Sequence, residues 1–442
     1  MSFPPALFSG APSFPGRIGM LYCKQTHTRW EQAACMHTQR DYPRFTVNKK
    51  AEAAIRRGHP WVYGEEVIQR PAAYENGGLG DVVTEKGVYL GTGCINDASK
   101  ILIRLLSSNA NDRFDEAFFA RRVAYALDYR RRVMGTDFNN CRLIFGEADQ
   151  FPGLTVDRFG DILVTETLSL AMEKRKEMLF RLIVENLRAG GDTIRAIYER
   201  NESPLRLKEG MQTGKGFFPM EGLETELDGH TRICENGVLY DVDYINGQKT
   251  GFFLDQKYNR RAAASLARGM RVLDCFTHTG AFALNCARAG AAKVTAVDIS
   301  QAAIEETAAN ARLNGLELEL VCRDVFELLT ELGEKKSRAY DYIILDPPAF
   351  TKSSDTRKNA YRGYKEINRR AMQLLPRGGY LATCSCSHFM YEEDFKRMLL
   401  EAAADAHVTL RQIEARQQGP DHPILPTVPE TSYLKFYLFQ VI

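Results

Sequence analysis

At 442 residues the chain is too long for one ordinary hydrophobic core, and two or three domains are expected. Its 44% hydrophobic and 26% charged content is that of a soluble globular protein, and no apolar run approaches the length of a membrane span. A net charge of +2 excludes reading nucleic-acid binding from the total, so any such surface has to come from local clusters.

The first ~40 residues are rich in Pro, Gly and Ser and lack a charged start followed by an apolar segment, so they read as a disordered leader (1–41) and not as a signal peptide. Met36 directly precedes orderly sequence and is an alternative start. Residues 42–111 show short strands with glycine turns: Val82-Val83, Gly87–Gly93 and Ile101–Leu106, after a short basic helix with Arg56 and Arg57. That pattern predicts a small β-barrel. Residues 112–235 open with a helix over Phe114–Met134 carrying Arg121, Arg122, Arg130, Arg131 and Arg132. Strands follow near Cys141–Phe145, Leu154–Asp157 and Ile162–Glu166, then a helix over Glu173–Ala189 and a strand near Thr193–Tyr198; Gly210–Gly216 reads as a loop. From 236 to 442, strands ending at Cys275, Asp298, Val321, Leu345 and Thr383 alternate with helices before strand-like Tyr433–Phe439. The alternation predicts an α/β domain with a doubly wound parallel sheet.

Ten cysteines contain no C-x-x-C pair, and Cys275, Cys286 and Cys322 fall in apolar runs, as in proteins of a reducing compartment. The cytoplasm is the expected location.

In an open parallel sheet, chemistry sits at the carboxyl edge of the strands. The turn after the first strand, Cys275-Phe276-Thr277-His278-Thr279-Gly280, holds one glycine and no G-x-G-x-x-G, which argues against a dinucleotide enzyme. Asp274 lies on that strand, Asp298 closes the second and could accept two hydrogen bonds from a ribose diol, and Asp324 after the third could receive an adenine amino group. Three acids at successive strands resemble the class I S-adenosylmethionine-dependent methyltransferases, whose sulfonium cofactor needs no phosphate cradle. Phe276, Thr277 and Gly280 are then cofactor contacts. Asp346-Pro347-Pro348 after the fourth strand is a rigid turn presenting Asp346 to cofactor and substrate. The fifth strand ends in Cys384-Ser385-Cys386-Ser387-His388. A thiolate adding to carbon 6 of a pyrimidine makes carbon 5 nucleophilic, and by spacing Cys384 and Cys386 serve equally. In extended geometry Cys384, Cys386 and His388 share a face, but no fourth metal ligand is evident and no metal is expected.

From about Tyr42 onward the chain resembles the large-subunit ribosomal RNA cytosine-5 methyltransferases of the RlmI type. The matching stretches are Gly58-His59-Pro60-Trp61-Val62-Tyr63, Gly146–Leu154, Lys249-Thr250-Gly251-Phe252-Phe253-Leu254-Asp255-Gln256, Asp346-Pro347-Pro348-Ala349-Phe350, Ser385-Cys386-Ser387 and Asp421-His422-Pro423. The resemblance implies an N-terminal PUA-like RNA-binding domain, a middle α/β domain and a C-terminal methyltransferase domain with a Rossmann-like sheet. It singles out Cys386 as nucleophile, with Asp346 on the cytosine edge and Phe252 and Asp255 at the methionine end of the cofactor. It also implies ribosomal RNA as partner and a homodimer through the barrel; the arginine-rich helix with Arg121, Arg122, Arg130 and Arg131 offers a backbone-binding surface or, equally, an exposed, solvated helix face. Many RNA cytosine-5 methyltransferases carry a second, product-releasing cysteine after the proline of the D-x-P motif; Pro348-Ala349-Phe350 has none, so the group that takes the carbon-5 proton is open between His388, Asp346 and water. Two rival readings are methylation of an exocyclic amino group without covalent catalysis and a non-catalytic RNA-binding assembly factor.

Overall fold

The computed structural model describes residues 40–351 and 356–442, so the expected leader and Met36 lie outside the described residues but for residues 40 and 41. Strands β1 (Arg44–Val47), β2 (Trp61–Tyr63), β3 (Val67–Gln69), β4 (Leu79–Val83), β5 (Tyr89–Ile95) and β6 (Ile101–Ser107) form one sheet in the order β2-β6-β5-β4-β1-β3. Phe45, Val47, Val82, Leu90, Ile95 and Ile103 alternate inward and bury Ala51 and Ile55 of helix α1 (Lys49–Arg56). Asn48 caps α1, its side-chain oxygen accepting from the Ala51 amide at 3.0 Å. At Gly93 a Cβ would stand 2.4 Å from the Arg104 carbonyl oxygen, so only glycine lets β5 and β6 pair there.

Helix α2 (Glu116–Met134) leads into a second sheet of β7 (Asn140–Phe145), β8 (Leu154–Phe159), β9 (Ile162–Thr167), β10 (Ala196–Asn201) and β11 (Gly214–Phe217). Strands β7, β8 and β9 form an antiparallel meander, and helix α3 (Lys176–Ala189) carries the chain to β10, parallel to β9. Phe118, Phe119 and Leu127 of α2 pack with Leu179 and Ile183 of α3 on Leu143, Val156 and Leu163 of this sheet. Two expectations are corrected here. The loop expected over Gly210–Gly216 ends in β11, which has little apolar pattern and exists by edge pairing to β10. The helix expected from Glu173 is interrupted: Leu170–Glu173 is one turn capped by Ser169, and α3 starts afresh at Lys176. A hairpin of β12 (His230–Glu235) and β13 (Val238–Asp243) follows, turning on Asn236 and Gly237 with φ of 53° and 79°. Asn-Gly between alternating runs is a strong hairpin signal that the reading above did not use.

The third sheet holds β14 (Arg271–Cys275), β15 (Lys293–Asp298), β16 (Glu319–Cys322), β17 (Tyr342–Leu345), β18 (Tyr380–Ser385), β19 (Leu410–Arg416) and β20 (Lys435–Val441), in the order β16-β15-β14-β17-β18-β20-β19. The first five strands in that order are parallel, as expected, whereas β20 runs antiparallel to both β18 and β19. β19 was not anticipated, because as an edge strand it is largely polar and half-exposed. Leu273 and Cys275 point into one apolar layer with the helices Arg357–Leu374 and Glu392–Asp405, while Val272 points into the opposite layer with Lys257–Ala264 and Ala281–Arg288. The sheet is thus covered on both faces. The strand order reverses between β14 and β17, which opens a crevice at their carboxyl ends. Among the described residues no helix is long and apolar enough to cross a membrane.

Candidate active site

At that crevice lies a chamber of about 300 Å³ bordered by Phe252, Asp255, Phe276, Thr277, Asp298 and Asp346, all of them expected site residues. The turn after β14 is wound tightly: Phe276, His278 and Gly280 have φ of 64°, 53° and 82°. Left-handed non-glycine residues persist only where their surroundings hold them. Asp274 does the holding. It is fully buried beneath the turn and accepts from the Thr277 hydroxyl at 2.6 Å and the Ala283 amide at 3.0 Å, so it shapes the chamber without lining it. Gly280 is likewise outside the lining; a Cβ there would lie 2.6 Å from Thr307, so the glycine lets the helix Gln301–Asn314 pack against the turn.

Asp298 ends β15 with each carboxylate oxygen taking one backbone amide, that of His278 at 3.0 Å and that of Ser300 at 2.9 Å. Lone pairs remain for a diol. Asp324 does not line the chamber: its carboxylate caps the helix Val325–Glu334 by accepting from the Glu327 amide at 3.1 Å. Asp255 accepts from the Tyr433 hydroxyl at 2.5 Å, and its other oxygen is buried without a partner among the described residues. Burial by itself would raise this carboxyl, but Lys249, His422, the Tyr433 hydroxyl and Arg142 hold it down at about 2. Aromatic faces, a carboxylate with free lone pairs and an orphaned buried oxygen fit a nucleoside cofactor with a cationic amino-acid end.

A second chamber of about 470 Å³ adjoins the first. Its wall comes from three parts of the chain: Arg142, Phe145, Thr155, Glu166 and Arg200 of the second sheet, Lys249 and Thr250 of the connecting loop, and Cys386, His388, Glu430 and Tyr433. Lys249 and Cys386 line both chambers. None of the second-sheet residues was singled out from the sequence; they are single polar or aromatic positions in ordinary alternating strands.

Period two made Cys384 and Cys386 equivalent in the sequence. The fold separates them, because β18 ends at Ser385. Cys384 is fully buried among apolar residues of the sheet, whereas Cys386 lies past the strand end, its Sγ 3.8 Å from the Pro347 carbonyl. Lys435, buried, donates to the carbonyls of Ser387 and Tyr433 at 2.7 Å each and holds this segment in place. Burial and then the Asp346 charge push the Cys386 thiol up to about 11, and Lys249 opposes them. Burial and the Asp255 charge push Asp346 up to about 6, while Gln256 donates to one of its oxygens at 3.1 Å. Burial lowers the His388 imidazole. Among the described residues no group of three or more His, Cys, Asp or Glu side chains is arranged to hold a metal.

The arginine expectation is corrected in part. Arg130 cannot meet RNA: it is fully buried, pairs with both oxygens of Asp149 and donates to the carbonyls of Arg142 and Asp421 at 2.9 Å. Its spacing from Val123, Ala126, Leu127 and Met134 on the buried face of α2 carried that signal. Arg131 is tied to Asp128 and Asn186, and Arg122 donates to the carbonyls of Leu106 and Gln150. Arg121 is exposed, 3.6 Å from Asp112. The Asp421-His422 turn, given no role above, is buried in the same seam, with Asp421 accepting from the Arg142 amide at 2.9 Å.

Residues 217–440 match the family of S-adenosylmethionine-dependent methyltransferases and residues 45–108 match the PUA-like domain. Along nearly its whole length the chain aligns with relatives called ribosomal RNA large subunit methyltransferase I. It is 36% identical to the one from Klebsiella pneumoniae over 91% of this chain and 99% of that one, and 38% identical to the one from Salmonella enteritidis over 91% and 98%. The chain belongs to this family. A protein from Streptococcus mutans described as a SAM-dependent methyltransferase shares the fold with a TM-score of 0.75 at 21% identity, covering 90% of this chain and all of that one, and a second structure with the same values is complexed with SAH. The cofactor is S-adenosylmethionine, as the matched methyltransferase family requires. The first chamber, at the switch point of the methyltransferase sheet, is where that cofactor fits.

Proposed function

We propose that the protein methylates carbon 5 of a cytosine in large-subunit ribosomal RNA through a covalent adduct with Cys386. The observation that carries this reading is that Cys386 is the thiol shared by the two chambers. Bound S-adenosylmethionine supplies an electrophilic methyl group. Phe252, Phe276, Asp298 and Asp255 hold it, Asp298 at a diol and the orphaned Asp255 oxygen at a donor. The target base cannot be reached inside a duplex and enters the second chamber single-stranded or flipped.

Cys386 Sγ adds to carbon 6, and the electron pair displaced from the 5,6 double bond makes carbon 5 the nucleophile. Lys249 favours the thiolate against burial and the Asp346 charge. Asp346 hydrogen-bonds the edge of the ring and steadies the adduct. Once carbon 5 carries the methyl group, its proton leaves to His388, Asp346 or water as the carbon–sulfur bond breaks and the thiolate returns. Arg121 and the N-terminal PUA-like sheet supply the backbone contacts. A cytoplasmic site of action and a homodimer through that sheet complete the reading on family grounds.

The test offers ribosomal RNA containing 5-fluorocytosine with S-adenosylmethionine. Wild type is expected to form a denaturation-resistant adduct and Cys386→Ala none. Full methylation by Cys386→Ala would remove the covalent route and favour the exocyclic amino group as acceptor.

A further inference from the structure

The second chamber has a wall that belongs to none of the methyltransferase elements. Phe145 of β7 stands opposite Thr155 of β8, Thr155 stands opposite Glu166 of β9, and Thr165 opposite Glu199 puts Arg200 of β10 beside Glu166. One rung across four strands thus presents an aromatic ring, a hydroxyl, a carboxyl and a guanidinium to the chamber that Cys386 enters. These four residues are half-buried, while their strand neighbours Ile144, Val156, Thr165 and Thr167 are buried.

Most charged groups of the wall are already engaged. Arg142 pairs with both oxygens of Asp157 at 2.7 Å, and the Thr250 hydroxyl donates to the same carboxylate at 2.6 Å. Arg200 bonds Glu202 at 2.9 Å and the carbonyls of Tyr244 and Gly247 at 3.2 and 2.9 Å. Glu430 lies 3.5 Å from His59. Glu166 has no hydrogen-bond or ion-pair partner among the described residues, although it is half-buried and burial raises its carboxyl against the charges of Arg142, Lys249 and Arg200. A half-buried carboxyl that no protein donor meets is open to a ligand that supplies one.

We propose that Glu166 is a specificity-determining residue that accepts a hydrogen bond from the exocyclic amino group of the target base. The role rests on the cytosine reading above. A carboxylate repels phosphate, so the ligand facing it is a donor and not the RNA backbone. Within a chamber that holds a base against Cys386, the donor that distinguishes cytosine is its amino group; uracil carries an oxygen in that position and meets the carboxylate lone pair to lone pair. Phe145 on the same rung offers the base a face to stack on. The second sheet is therefore the selecting wall, and the methyltransferase sheet the reacting one.

The test compares adduct formation on target RNA carrying 5-fluorocytosine or 5-fluorouracil at the modified position, using wild type, Glu166→Gln and Glu166→Ala, with S-adenosylmethionine affinity as the control for folding. Both variants should keep wild-type cofactor affinity, since Glu166 lies outside the cofactor chamber. Trapping of fluorocytosine should fall about 10- to 100-fold in both. Glu166→Gln, whose amide can donate to a carbonyl oxygen, should also gain trapping of fluorouracil. Unchanged cytosine trapping and an unchanged cytosine-to-uracil ratio in both variants would overturn the role, and so would an equal fall on both bases. If wild type traps neither base, the covalent reading itself fails, and this role with it.

Discussion

The two chambers that meet at Cys386 were built in different ways. The first chamber is made largely by turns that follow successive strands of one sheet, at Phe276–Phe282, Asp298–Ser300 and Asp346–Pro348, together with the loop Lys249–Gln256 that leads into that sheet. The second chamber gathers single residues from β7, β8, β9 and β10, from the loop at Lys249 and from segments beyond Cys386. A ligand common to a whole fold class can be held by local motifs at a switch point, because parallel topology delivers strand ends to one edge. A ligand particular to one enzyme is met by whatever an adjoining domain places opposite that edge.

Perturbing the thiol common to both chambers should have the largest effect. Cys386→Ala is expected to lower methyl transfer on the order of 10⁴-fold at unchanged cofactor affinity, as loss of a covalent nucleophile does. Cys384→Ala, measured in the same rate assay, should lose stability and lower methyl transfer far less than Cys386→Ala, because Cys384 packs in the core of the sheet and its thiol touches the reaction only through hydrogen bonds to Asp346 and Gln256. If Cys384→Ala also abolished transfer, the division between the two thiols would be wrong.

The seam that holds the second sheet against the methyltransferase sheet comes next. Arg130→Met leaves Asp149 buried without its partner and should cost about 3–5 kcal/mol in urea unfolding. Arg121→Ala should change stability by no more than about 0.5 kcal/mol and instead weaken RNA binding in a salt-dependent way. Within the cofactor chamber, Asp298→Ala should weaken S-adenosylmethionine binding about 10- to 100-fold by calorimetry, with RNA affinity unchanged.

The bridge between the chambers makes a pH prediction. With the Cys386 thiol pushed up to about 11, the thiolate fraction, and the rate of adduct formation with it, should climb through neutral and alkaline pH. Above about 6 the Asp346 carboxylate is charged and opposes the thiolate, so no acid-side optimum is expected. Lys249→Met removes the charge that favours the thiolate. It should move the profile to higher pH and slow trapping at neutral pH, at saturating cofactor. The smallest effect is expected at Asp324→Ala, about 1 kcal/mol of stability from the lost helix cap.

What was legible follows the same division. Alternating strands and helices, the acids at strand ends, the D-P-P turn and the S-C-S segment were all readable, because each is a contiguous motif whose chemistry follows from residue type and spacing. Asp274, Gly280 and Asp324 were read as cofactor contacts, but none of them lines the chamber: Asp274 shapes the turn, Gly280 lets a helix pack against it, and Asp324 caps a helix. An acid at a strand end looks the same in sequence whether it accepts from a ligand or from its own turn. The arginines of α2 failed for a related reason: charge alone does not say which face of a helix a side chain covers. The strands β11 and β19 were missed because edge pairing, and not hydrophobic alternation, holds them.

The sequence by itself determined the fold class and the S-adenosylmethionine-dependent methyltransferase family, since both rest on local patterns repeated along successive strands. Tertiary structure alone decided which thiol lines the first chamber, because two cysteines a strand period apart diverge once β18 ends between them. It also decided what faces that thiol. Glu166 is ordinary in its strand, and only the docking of one sheet against another leaves it half-buried, without a partner among the described residues, in the chamber that Cys386 also lines.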